Sequence, residues 1–234
     1  MVLGLTRAVG RPPSAGDEQD LTLQRHAMVE QQIAARGIRD AHVLDAMLRV
    51  PRHEFVPGML RTLAYDDRPL PIGHKQTISQ PYIVALMSES LDLRGDEVVL
   101  EVGTGSGYQA AVLGELAARV YTIEIIPELA ERAAKLLERL GYDNVTVRAG
   151  DGYRGWPEAA PFDAIMVTAS PDHVPQPLLE QLKPGGRLVL PVGQGRQHLL
   201  RITRSESGFE SDTLAAVRFV PMTGEAQENT PERK

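Results

Sequence analysis

The 234-residue chain contains no cysteine. That single absence removes disulfides, thiolate metal sites and cysteine nucleophiles together, and it is consistent with a reducing compartment. No apolar run approaches the roughly 20 residues needed to span a bilayer, so no membrane partner is expected. The opening Met1-Val2-Leu3-Gly4-Leu5-Thr6-Arg7 is too short and too soon interrupted for a secretory signal, which makes a cytoplasmic location the expectation. A basic excess is also missing. The net charge is −6, which argues against a large nucleic-acid footprint, because backbone binding needs clustered Lys and Arg. His53, His74, His173 and His198 are scattered, with no His-x-x-x-His spacing, so no metal is expected. There is no internal repeat.

What is present reads as one soluble α/β domain. The length allows a full core with terminal embellishments, and 42% apolar with 24% charged residues is ordinary for a globular chain. Residues 1–20, rich in Gly, Pro, Ser and charge, are expected to form a flexible leader, and the polar residues 223–234 a flexible tail. Between them, 21–222 forms a single domain, with helices and a long loop over 21–95 and a ligand-binding core over 96–222. Leu23 to Arg36 has amphipathic helical spacing stopped by Gly37, and Asp40 caps a second helix running to Val50 and Pro51. The stretch from Pro57 to Pro81 shows neither helical nor alternating periodicity. Unpatterned loops of that length in compact domains tend to be functional or disordered, and Leu70, Ile72 and Ile78 favour order. A helix from Pro81 to Leu91 follows.

From residue 97 strands and helices alternate: strands near 97–102, 119–124, 145–149, 162–168 and 187–192, with helices near 107–118, 127–140 and 175–182. This alternation predicts a Rossmann-like fold, a mostly parallel sheet covered on both faces. His198–Arg204 and Thr213–Val220 then read as a C-terminal antiparallel hairpin.

The first strand runs into Glu101-Val102-Gly103-Thr104-Gly105-Ser106-Gly107 and then a helix. Alternate glycines there let the backbone turn sharply beside a ligand, and exposed N–H groups at the helix start add partial positive charge. S-adenosylmethionine and a dinucleotide are both open readings of this loop. An acid at a strand's carboxyl end, Glu101, suits a cationic amino group better than a pyrophosphate. Glu124 ends the second strand, where a carboxylate can hold ribose hydroxyls; Asp151, between Gly150 and Gly152, ends the third, where it can accept from an adenine amino group. A turn residue at Asp151 and a surface acid at Glu124 are the plainer alternatives.

These residues, with their surroundings, carry a resemblance. The string Gly150-Asp151-Gly152-x-x-Gly155-Trp156-x-x-x-Ala160-Pro161-Phe162-Asp163-x-Ile165 is similar to the signature of the protein-L-isoaspartate O-methyltransferase family. The loop Gln76-Thr77-Ile78-Ser79-Gln80-Pro81 resembles that family's upstream segment. Lys183-Pro184-Gly185-Gly186-Arg187-Leu188-Val189-Leu190-Pro191-Val192-Gly193 and Arg218-Phe219-Val220-Pro221 resemble its later motifs. The likeness runs from about Leu23 to Met222. It implies methylation of the free carboxylate of L-isoaspartyl residues in damaged proteins, with S-adenosyl-L-methionine as cofactor and S-adenosyl-L-homocysteine as product. The ester then closes to a succinimide that can open to normal aspartate. By the same resemblance Ser79 is the active-site residue, and Thr77, Ile78, Glu101, Gly103, Thr104, Gly105, Ser106, Gly107, Glu124, Asp151 and Gly152 hold the cofactor. Ile78, Ser79, Arg218 and Val220 hold the substrate. The expected partners are damaged, isoaspartate-containing proteins and peptides, met by a monomer.

The chemistry is consistent with the residues. A carboxylate, with a reference pKa of about 4, is already ionised at neutral pH, so the reaction needs no general base. Ser79 then orients the carboxylate as a donor, although it could also cap the helix at Pro81. No Gly-x-Ser-x-Gly surrounds it, which disfavours a hydrolase. A dehydrogenase would share the glycine turn and Glu124 but leave Glu101 and Asp151 unexplained. A nucleic-acid methyltransferase acting on an amino group would place an Asn- or Asp-Pro-Pro-aromatic motif where Val167-Thr168-Ala169-Ser170-Pro171 stands.

Overall fold

The computed structural model of the protein describes residues 15–228. α1 (Ala15–Ala27) continues without a break through a wider π-turn (Met28–Ile33) and a 3-10 turn (Ala34–Arg36), ending at Gly37 with φ +104°. The stop is where the sequence places it; the start lies eight residues earlier than Leu23 and takes in the end of the expected leader. Residues 1–14 of that leader lie outside the described residues. α2 (Ala41–Arg49) is capped as expected, with Asp40 Oδ1 accepting the N–H groups of His42 and Val43.

The unpatterned stretch is ordered. It holds a 3-10 segment (Gly58–Leu63) and a hairpin of β1 (Leu70–Gly73) and β2 (Gln76–Ile78), joined through His74 and Lys75. Both turn residues have positive φ, 51° and 59°, as a tight two-residue hairpin turn requires. Strands of four and three residues are too short to show an alternation, and His-Lys is not a turn signal. Lys75 is exposed at the tip. α3 (Pro81–Ser90) follows.

The core is a seven-stranded sheet. β3 (Val98–Val102), α4 (Tyr108–Leu116), β4 (Arg119–Glu124), α5 (Pro127–Arg139), β5 (Val145–Ala149), β6 (Phe162–Val167), α6 (Gln176–Glu180), β7 (Leu182–Val192), β8 (Gln197–Ser205) and β9 (Gly208–Val217) follow in chain order. The spatial order is β5-β4-β3-β6-β7-β8-β9, with β3 to β7 parallel and β8 and β9 antiparallel. The terminal hairpin therefore stands as predicted, although β9 begins five residues before Thr213. Strand order reverses between β3 and β6, and a crevice opens outside the carboxyl ends of strands at such a switch point.

The two faces of the sheet bury different clusters. Val99, Val120, Ala164 and Met166 pack under α4 and the N-terminal helices, whereas Leu100, Val102, Ile123 and Ile165 pack on the other side with Tyr153, Leu178 and Phe162. α4 is apolar nearly all round because the sheet lies below it and α2 and α3 above. α5 is the ordinary amphipathic case, burying Leu129, Ala130, Ala133 and Leu137 and exposing Glu131 and Lys135. The expected tail is built in as far as it is described. α7 (Glu225–Glu228) buries Ala226, and Arg154 pairs with Glu225 at 2.8 Å; residues 229–234 lie outside the described residues. Among the described residues no helix is long and apolar enough to cross a membrane.

Candidate active site

A cavity sits at the carboxyl ends of β3, β4, β5 and β6. Gly103, Gly105, Glu124, Asp151 and Gly152 line it, together with Thr77 from β2 and Val220. Close packing makes glycine necessary at two of these positions. A Cβ on Gly103 would run into Thr168 Oγ1, and one on Gly152 into Val102 Cγ1; Gly103 also has φ +102°. Thr168 Oγ1 in turn donates to the Gly103 carbonyl at 2.6 Å and so fixes the first bend of the loop.

The two outer carboxylates are oriented by backbone donors. Glu124 is buried, its Oε2 accepting the Gly105 N–H at 2.7 Å and its Oε1 the Ile126 N–H at 3.0 Å. Asp151 accepts the Tyr153 N–H at 2.9 Å on Oδ1 and the Glu225 N–H at 2.8 Å on Oδ2. Each carboxylate oxygen keeps a second lone pair, so both groups can still accept from a ligand while held in place.

Several expected contacts are not on the wall. Glu101 is fully buried in register with Thr122 and Met166, on the α4 face of the sheet, and it does not line the cavity. Thr122 Oγ1 donates to its Oε2 at 2.5 Å and shares a 2.6 Å hydrogen bond with Thr104 Oγ1, while Glu101 Oε1 has no partner among the described residues. Burial pushes the Glu101 carboxyl up to about 8. Thr104 and Ser106 are buried off the wall, and Gly107 starts α4 at φ +88° against Ala133 and Leu137. Ile78 lies in the core, paired with Leu70 across the β1–β2 hairpin. The N–H groups of the loop are mostly spent: Gly103 and Thr104 donate to Ile123, Gly105 to Glu124, Gly107 to Thr104 and Tyr108 to Ser106. The exposed donors expected at the start of α4 are replaced by these internal bonds.

Other wall residues were not expected from the sequence. Thr168 and Ala169 follow β6, and Ile125 follows Glu124, places that the strand-end rule could have found. Pro221, Met222 and Thr223 arrive from far along the chain. The backbone of Val220 and Met222 brackets Ser170, accepting from and donating to it at 2.8 Å, and this pairing draws the segment across the carboxyl edge.

A second, larger groove of about 1130 Å³ meets the cavity at Thr77, Thr168, Val220 and Pro221. Of the four expected substrate contacts, Ser79, Arg218 and Val220 line it and the buried Ile78 does not; across from them stand Arg36 and Tyr82, whose guanidinium and ring stack at 3.6 Å. Ser79 is half-buried and is not the cap of α3. Gln80 holds that position, and no side chain caps the helix. The Ser79 hydroxyl makes no hydrogen bond among the described residues and is available to a bound group.

The cavity and the open groove beside it lie at the parallel-sheet switch point, where folds of this kind bind their ligands. The family model for protein-L-isoaspartate(D-aspartate) O-methyltransferase matches residues 23–227. The chain belongs to that family. It is 56% identical over 220 residues to protein-L-isoaspartate O-methyltransferase 2 of Shewanella sediminis, covering 93% of this chain and 90% of that one. It is 58% identical over 212 residues to the corresponding enzyme of Marinobacter nauticus, covering 89% and 97%. A solved protein-L-isoaspartate O-methyltransferase superposes with a TM-score of 0.78 at 32% identity, over 86% of this chain and 67% of that chain. A Plasmodium falciparum structure described as such a methyltransferase in complex with S-adenosyl-L-homocysteine gives 0.74 at 27%, over 85% and 98%.

Proposed function

We propose that the cavity binds S-adenosyl-L-methionine and that the adjoining groove presents the free carboxylate of an L-isoaspartyl residue to it, for methyl transfer and repair of damaged proteins. The observation that carries this reading is the meeting of cavity and groove at Thr77, Thr168, Val220 and Pro221, with the unbonded Ser79 hydroxyl on the groove side. When bound, the cofactor supplies a methyl group on a sulfonium, open to direct displacement.

The chain's own task is placement. Glu124, aligned by two backbone N–H groups, offers its remaining lone pairs to ribose hydroxyls, and Asp151 offers its own to the adenine amino group. Gly103, Gly105 and Gly152 let the backbone approach, and Thr77 stands between cofactor and substrate. Ser79 donates its O–H to one oxygen of the incoming carboxylate, leaving the other to attack. Arg218 and Val220 hold the flanking peptide. Such positioning is worth about 7–11 kcal/mol when two reactants are held in line. Glu101, Thr104, Ser106, Gly107 and Ile78 act from behind the wall, by fixing the glycine loop and the β2 strand. The same reading has the enzyme work in the cytoplasm as a monomer, since the groove must admit varied, flexible chains.

Transfer of tritium from methyl-labelled S-adenosylmethionine tests this. An isoaspartyl peptide should become labelled with a base-labile ester while the matched aspartyl peptide does not; equal labelling of both, or of neither, sinks the reading. Ending the chain after Pro221 tests the wall. It removes the Glu225 N–H from Asp151 along with Met222 and Thr223, and cofactor affinity measured by calorimetry should fall by about tenfold or more.

A further inference from the structure

Arg52 is fully buried, yet among the described residues it pairs with no carboxylate. Its Nε donates to the Ala64 carbonyl at 2.7 Å and its Nη2 to the Ser79 carbonyl, also at 2.7 Å. Its guanidinium carbon lies 4.8 Å from the ring centroid of Tyr108, the first residue of α4 after the glycine loop, and Nη1 has no hydrogen-bond partner among the described residues. Burial pulls the group down only to about 10, so it is a cation at neutral pH. A cation buried without a counter-charge is a costly way to join two loops, since a neutral donor could bond the same carbonyls. What the guanidinium adds is a rigid planar fork, which fixes two acceptors relative to each other.

The acceptor that matters is Ser79. Its hydroxyl makes no hydrogen bond among the described residues, so the positions its χ1 rotamers can reach are set by the backbone that carries it. That backbone is pinned on every side. Ile78 before it is buried, Gln80 after it donates from Nε2 to Asp67 Oδ1 at 2.7 Å, and Arg52 holds the carbonyl between them. The cation–ring contact with Tyr108 ties the same fork to the helix that follows the cofactor loop.

We propose that Arg52 is a positioning residue for methyl transfer, which sets the Ser79 hydroxyl against the cofactor loop by clamping the Ser79 carbonyl to Ala64 and stacking on Tyr108. The proposal rests on the role given to Ser79 above. A lysine keeps the charge without the planar fork, and a glutamine keeps a planar donor without the charge; Arg52→Lys and Arg52→Gln are the test, each made in the wild-type and in the Ser79→Ala background.

With an isoaspartyl peptide, each substitution should lower kcat by about tenfold or more in the wild-type background while the Kd of S-adenosylmethionine moves by less than about twofold. In the Ser79→Ala background the same substitutions should change kcat by less than about twofold, because the group they position is gone. Equal losses in both backgrounds would mean that Arg52 acts by some other route, and the proposal falls. It falls too if neither variant binds cofactor or shows a cooperative melt, which would make Arg52 a residue of the scaffold. Wild-type turnover by Ser79→Ala alone removes the serine role and the proposal together, whereas failure of the unsubstituted protein to label the peptide removes the reading of the substrate itself.

Discussion

Ser79→Ala is expected to lower methyl transfer to an isoaspartyl peptide by about 10²- to 10³-fold, the usual loss when one oriented donor is removed from a reacting oxygen. The Kd of S-adenosylmethionine should stay within about twofold of wild type. The split follows from position: Ser79 lines the groove and not the cavity, so it faces the substrate and not the nucleoside. It also follows from what the hydroxyl does in the fold, which is nothing visible. Among the described residues it caps no helix and bonds no backbone group, so its loss opens no hole in their hydrogen-bonding. Single-turnover rates with labelled cofactor, beside calorimetric binding, read the two quantities separately. Comparable losses in rate and cofactor affinity would assign Ser79 to the cofactor loop; unchanged turnover would remove it from the chemistry.

The same serine marks how far the sequence could be read. Its neighbours Thr77 and Gln80 fall in a stretch without periodicity, and a hairpin of four- and three-residue strands turning through His74 and Lys75 leaves almost no pattern to detect. The strand–helix alternation from residue 97 was legible because parallel strands buried on both faces make continuous apolar runs between amphipathic helices. That continuity also hid which face each residue takes. Val98-Val99-Leu100-Glu101-Val102 does not say that Glu101 turns under α4 with Val99, whereas Val102 turns the other way. Glu124 and Asp151 could be placed from sequence because they sit at or just past strand ends, where the crevice must be. Thr223 could not, because its place on the wall depends on a return of the chain past Ser170 after two antiparallel strands.

The burial of Glu101 leads to the second large expected effect, a change in how stability depends on pH. Its carboxyl is raised from an ordinary value of 4.5 to about 8 by burial, with Thr122 bonding one oxygen and none of the described residues bonding the other. Between those values the folded chain holds a proton on Glu101 that the unfolded chain has released. Stability therefore falls as pH rises through this window, by up to about 1.4 kcal/mol per pH unit for a single group. Glu101→Gln removes the titration but keeps the shape and an acceptor for Thr122. The stability of the variant minus that of the wild type, both without ligand, should climb from pH 4.5 to about pH 8 and then level off. Glu54 and Asp163, whose carboxyls are held below their usual values by Arg139 and Lys183 despite partial burial, act in the opposite sense in more acidic solution, and they cancel in the difference. Urea unfolding at half-unit pH steps measures it. A difference that stays flat across the window would show Glu101 ionised in the folded chain, and would mean that its second oxygen is stabilised by a cation or donor brought close by motion of the glycine loop.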